Sequence, residues 1–116
     1  MSEHLSQVAI FHWARLNEHR CSALAWMFAV PNGGHRNKVV AGKLKAEGVK
    51  RGVPDICLPA ARNGFHGLWI EMKYGKNKPT DIQLEFHEFL REAGHRVEIC
   101  WTAEEARKVL CDYLQI

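Results

Sequence analysis

The chain has 116 residues, 47% of them hydrophobic, and a formal net charge of +3. That is the size of a single domain over residues 1–116, with enough apolar content for one core. No apolar run approaches the roughly 18 residues needed to span a bilayer. Ser2-Glu3-His4 opens an amphipathic rather than a secretory pattern, so the expectation is a cytoplasmic protein with no membrane partner.

In chain order, residues 3–19 predict a helix: Leu5, Val8, Ala9, His12, Trp13 and Leu16 recur at three- and four-residue spacing. Residues 24–30 read as a first strand, stopped by Pro31-Asn32-Gly33-Gly34, and Trp13, Trp26 and Phe28 read as core. Residues 38–47 suit a short helix ended by Gly48. Residues 53–58 and 68–73 read as two strands, joined by a turn carrying Asn63-Gly64. Thr80-Asp81-Ile82-Gln83 has the form of a capping box opening a helix that runs to Ala93 and stops at Gly94. Residues 96–101 predict a strand. Thr102 to Glu105 is a second capping box, and the last helix runs to about Leu114. The order αβαββαβα predicts an α/β fold, a mixed four-stranded sheet flanked by helices.

Cysteines 21, 57, 100 and 111 include no C-x-x-C pair. They read as reduced thiols, two of them inside apolar strands, and a zinc or thiol protein is disfavoured by the spacing. The seven histidines are scattered and read as surface or satisfied residues.

The two strands over 53–58 and 68–73 place Asp55, Glu71 and Lys73 in otherwise apolar runs. Burying an ionised carboxylate without a partner is costly, so the three need a common explanation. Alternation puts Glu71, Lys73 and Trp69 on one face, with Glu71 and Lys73 about 7 Å apart along the strand. Asp55 can reach Glu71 across the ladder, and Pro54 marks an edge or distortion there. Two carboxylates at one spot repel unless a cation lies between them. Oxygen donors alone suit Mg²⁺ or Mn²⁺, with the backbone carbonyl of Met72 as a third donor. Such an ion polarises a phosphoryl oxygen and acidifies water, with Lys73 beside the phosphate. A structural ion pair on an exposed sheet face is the competing explanation.

Charge is uneven along the chain. Arg36, Lys38, Lys43, Lys45, Lys50 and Arg51 face a single acid, Glu47, and Lys76 and Lys78 follow Lys73. Both runs flank the charged strands, which favours a polyanion partner. Arg36, Lys43, Lys45, Lys50, Arg51, Lys76 and Lys78 are candidate phosphate contacts. They would add affinity and salt dependence, not sequence choice.

Pro54-Asp55 followed by Glu71-Met72-Lys73 matches the PD-(D/E)xK pattern of restriction-endonuclease-like nucleases. With Gly52-Val53 before it, Thr80-x-x-Gln83 and Gly94 after it, and Glu3, Gln7 and Asn32-Gly33 upstream, the chain closely resembles the virus-type replication-repair nuclease (VRR-NUC) domain over about residues 3–105. The resemblance implies a restriction-endonuclease-like fold and a Mg²⁺- or Mn²⁺-dependent DNA endonuclease. Asp55 and Glu71 would be metal ligands, Lys73 the catalytic lysine, Gln83 an active-site residue and Glu3 a further acid. Capping alone also explains Gln83, and the helix dipole alone also explains Glu3. Small stand-alone members are similar to phage or prophage homodimers acting on branched DNA such as four-way (Holliday) junctions. The Trp13–His12 face and the apolar part of the last helix are the two candidate interfaces. The alternative is a non-catalytic DNA-binding module with a nuclease fold.

Overall fold

The computed structural model describes residues 2–31 and 37–116. The readings of Asn32-Gly33 and of Arg36 lie outside the described residues. Four helices and four strands follow one another: α1 (Glu3–Asn17), a 3₁₀ turn (Ser22–Trp26), β1 (Phe28–Ala29), α2 (Lys38–Ala46), β2 (Ile56–Leu58), β3 (Leu68–Met72), α3 (Asp81–Glu92), β4 (Arg96–Cys100) and α4 (Ala103–Leu114). The strands form one sheet in the order β1-β2-β3-β4. β1–β2 and β2–β3 are antiparallel, while β3–β4 is parallel through the α3 crossover. The α/β order expected from the sequence is the order observed.

The hairpin explains itself locally. Asn63 (φ 52°) and Gly64 (φ 84°) are both left-handed, as a tight turn matching strand twist requires. Tyr113 Oη donates to the Ala60 carbonyl at 2.6 Å, and Asn63 Nδ2 donates to the Tyr113 carbonyl at 3.2 Å, which ties the hairpin tip to α4. Alternation then sorts the side chains. Ile56, Leu58, Leu68, Ile70, Met72 and Cys100 face Ile10 and Ala14 of α1 and Ala106, Leu110 and Tyr113 of α4. Each large apolar side chain withdrawn there contributes roughly 1.5–3 kcal/mol. The opposite face carries Cys57, Glu71 and Val97 toward α3, whose His87 and Leu90 are buried. The core therefore lies on one face of the sheet, and the charged residues of β3 lie on the other.

Four expectations need correction. The strand over 24–30 is a 3₁₀ turn followed by a two-residue strand. Leu24 and Met27 are both buried, and their three-residue spacing is helical, not alternating. Trp26 and Phe28 are consequently surface residues, 74% and 46% exposed. The strand over 53–58 is shorter, Ile56–Leu58, because Gly52 turns the chain at φ 88° and buried Pro54 has no N–H for the ladder. The apolar part of α4 is consumed by the core, so it offers no free interface.

Gly52 brings the chain hard against α3. A Cβ there would lie 2.7 Å from Ile82 Cγ2 and 2.8 Å from the Ile82 carbonyl oxygen. Gly48 is also left-handed (φ 99°) but faces open space. Gly52→Ala is therefore expected to lower stability by about 2–4 kcal/mol, and Gly48→Ala by about 1 kcal/mol, in urea denaturation. Equal losses would show that the approach to Ile82 is not what requires glycine.

Candidate functional site

The site assembles at the open end of the β2–β3 hairpin. Ile56 pairs with Ile70, so Asp55 stands opposite Glu71, one residue beyond the ladder. The Asp55 carbonyl accepts from Val30 N–H at 2.7 Å. Its Oδ2 accepts from Met72 N–H at 2.8 Å. Asp55 is thus held on both sides, its main-chain carbonyl by Val30 and its carboxylate by Met72 N–H, which fixes where the carboxylate points. Glu71, on a strand flanked by β2 and β4, is 1% exposed.

Behind Glu71 stands a residue that the sequence reading passed over. His87 of α3 is fully buried, with Nε2 3.3 Å from Glu71 Oε1. Its Nδ1 is buried without a hydrogen-bond partner among the described residues. Burial, then the charges of Arg91 and Lys73, push His87 toward its neutral form. A neutral ring with the proton on Nε2 donates to an ionised Glu71 and leaves Nδ1 as a bare lone pair. The available signal was its place four residues after Gln83, in a stripe with Leu90 that faces the charged strand.

Burial is the first cause acting on both carboxyls. It raises Asp55, aided by the neighbouring Glu71, from 3.8 to about 7 despite the Met72 N–H and the charge of Lys73. Burial also raises Glu71, with a contribution from Glu3, while Asp55 and Lys73 oppose it. Lys73 therefore lies within electrostatic reach of both carboxyls and of His87. Its backbone N–H donates to the Cys100 carbonyl at 2.8 Å, carrying the β3–β4 pairing one residue past Met72.

The other candidates are placed as follows. Gln83 completes the capping box: Thr80 N–H donates to Gln83 Oε1 at 2.9 Å, and Gln83 N–H to Thr80 Oγ1 at 3.3 Å. Glu3 is exposed in the first turn of α1, and its charge is felt at Glu71. Lys43 and Lys45 are exposed in the last turn of α2, Lys50 and Arg51 just before Gly52, and Lys76 and Lys78 between β3 and α3. Trp69 is half-buried beside His95, to whose Nδ1 its Nε1 donates at 3.4 Å. Burial pushes Cys57 up to about 11 and Cys100 up to about 12, which leaves both as unreactive thiols.

The donor set fits a hard divalent cation in one particular way. Among the described residues no group of three or more His, Cys, Asp or Glu side chains is arranged to cage a metal. Two carboxyls with raised affinity for protons at the end of a hairpin remain. Mg²⁺ and Mn²⁺ sites of the phosphate-processing kind use one or two carboxylates and take further oxygens from water and substrate.

Comparison with known proteins agrees with the fold. A family model described as the VRR-NUC domain matches residues 1–104. A solved structure titled "VRR_NUC domain protein" superposes with a TM-score of 0.84 at 25% identity, covering 99% of this chain and 89% of that one. No curated protein matches.

The raised Asp55 has a stability consequence. Its folded value lies above its unfolded one, so metal-free folding takes up a proton between pH 4 and 7. The cost of the buried charge is absent below about pH 4 and complete above about pH 7. Asp55→Asn is expected to be more stable than wild type at pH 8 by on the order of 2 kcal/mol, after allowing for partial exposure, and nearly equal at pH 4.5. Urea midpoints at the two pH values in EDTA check this; a gap that does not change with pH contradicts it.

Proposed function

Because this chain belongs to the VRR-NUC domain family, whose members carry a nuclease-type domain for processing DNA, we propose that it is a Mg²⁺- or Mn²⁺-dependent endonuclease cutting phosphodiester bonds in structured DNA, four-way junctions first among them. The observation that carries this reading is the convergence of Asp55, Glu71 and Lys73 at one hairpin end, with both carboxyls pushed toward protonation. A purely structural ion pair would shift the acids the other way, toward ionisation.

In this reading Asp55, Glu71 and the Met72 carbonyl hold the ion, with Glu3 close enough to add charge. When bound, a divalent ion supplies charge neutralisation at a phosphoryl oxygen and a more acidic water. The protein supplies placement. Backbone donors from Met72 and Val30 hold the Asp55 segment. His87 holds Glu71 from behind, so the carboxylate keeps one orientation when ionised. Lys73 offers its ammonium to the attacking water or to charge developing on the phosphate. Gln83 spends Oε1 on its cap, and its amide nitrogen is the donor end for a phosphate oxygen. The α3 N-terminus beside it favours the same anion.

Lys43, Lys45, Lys50 and Arg51 on one side of the site, and Lys76 and Lys78 on the other, would contact the DNA backbone. A homodimer would present two sites to the two strands of a symmetric junction. We place the enzyme with the stand-alone phage or prophage type, acting in the host-cell cytoplasm. Among the described residues no helix is long and apolar enough to cross a membrane.

Labelled four-way junction, flap and linear duplex, incubated with Mg²⁺ or Mn²⁺, test the reading. Wild type is expected to cut the junction, and Lys73→Ala to fall by roughly a hundred- to thousandfold with its fold intact by circular dichroism. No cutting of any substrate, or full activity in Lys73→Ala, would contradict it. Sedimentation of the same preparation is expected to show a dimer.

A further inference from the structure

Next to the carboxyl pair lies a cleft that the chemistry described above does not use. It has two adjoining lobes of about 410 and 590 Å³, which share Pro31, Leu44, Val49 and Lys50. Its wall continues into the site. Val30 donates to the Asp55 carbonyl, Val53 stands two residues before Asp55, and Phe86 immediately precedes His87. The floor is therefore apolar and includes one half-buried aromatic ring. The rim is cationic: Lys45, Lys50 and Arg51 are all exposed, and no acid lines either lobe among the described residues. α2 buries none of its residues, and Val49 is 43% exposed.

Apolar walls, an aromatic face and a ring of cations match the needs of one nucleotide. The base leaves water for the floor and stacks on the ring, while its phosphates meet the lysines and arginine. Each lobe lies in the usual size range of a small-molecule pocket. A base stacked within an intact duplex cannot enter such a cleft without being extruded, whereas an unpaired base at a branch point enters at little cost. A protein partner or a second copy of this chain has no use for an acid-free cationic rim unless it is itself acidic.

We infer that this cleft receives one unpaired base of the strand being cut, so that an unpaired base beside the scissile phosphate is part of what the site recognises. The inference rests on the nuclease reading for the identity of the strand. Its geometry is independent of catalysis. Within structured DNA it favours branch points that leave a base free or yield one when a pair at the crossover of a four-way junction opens, and it makes Phe86 and Val49 specificity residues rather than catalytic ones.

Binding without cleavage separates the two readings. A branched duplex with one unpaired nucleotide at the branch is made in three forms: with an ordinary base, with 2-aminopurine, and abasic. Affinities are measured in EDTA, and cleavage is followed separately with Mg²⁺ or Mn²⁺. The expected result is about tenfold tighter binding of the ordinary base than of the abasic form, with a change in 2-aminopurine fluorescence on binding. The tenfold ratio should collapse toward one in Phe86→Leu, and also in Val49→Glu, an exposed position where folding is not at stake. Because the readout is a ratio, the general effect of the added charge cancels. Tight binding with a ratio of one in wild type overturns the cleft and leaves the nuclease reading standing. A ratio of ten with no cleavage of any substrate supports the cleft and sinks the nuclease reading. No binding of DNA at all overturns both.

Discussion

The structure turns on one costly arrangement: Glu71, almost wholly buried in the middle of the sheet, set opposite Asp55 at the end of the hairpin. A lone pair of acids there is a liability, because burial disfavours both charges and the neighbouring Glu71 disfavours that of Asp55 further. The surrounding residues hold that liability in place. Met72 N–H anchors Asp55, His87 anchors Glu71, and Lys73 supplies a positive charge that acts on both. None of these restores ordinary carboxyl behaviour, since Asp55 still lies near 7. A divalent cation is the partner that would.

The fold keeps this cost local. The large aliphatic side chains of the hairpin turn toward α1 and α4, so most of the apolar burial falls on one side of the sheet. The other side is left to α3, which brings His87 against Glu71 of the charged strand. Gly52 permits the close approach of the segment that leads into Asp55 to Ile82 in the first turn of α3. Conformational demands and chemical demands thus fall on different residues, and they can be altered separately.

Much of this was legible in the sequence, for identifiable reasons. Elements closed by strong local signals came out nearly to the residue: the Thr80 and Thr102 caps, the Asn63-Gly64 turn and the Gly94 stop. The alternation that pairs Glu71 with Lys73 and puts Asp55 across from them needs only the period of a strand. What failed was decided by tertiary context. Residues 23–29 are apolar throughout, so periodicity could not distinguish a strand from a 3₁₀ turn, and Trp26 looked like core until the turn placed it outside. His87 was hidden for the opposite reason. A histidine in an amphipathic helix carries no signal of its own until the helix is docked and its ring meets Glu71.

The account stands or falls on whether the carboxyl pair is a cation site. The most direct measurement is the melting temperature of the wild-type protein as Mn²⁺ is titrated at pH 7.5, beside Glu71→Gln. A ligand that binds only the folded state raises stability by about 2.7 kcal/mol at a hundred times its dissociation constant. Wild type is expected to show a saturable rise of several degrees and Glu71→Gln almost none. A melting temperature indifferent to Mn²⁺, or a rise of equal size in Glu71→Gln, would show that the buried acids hold no metal.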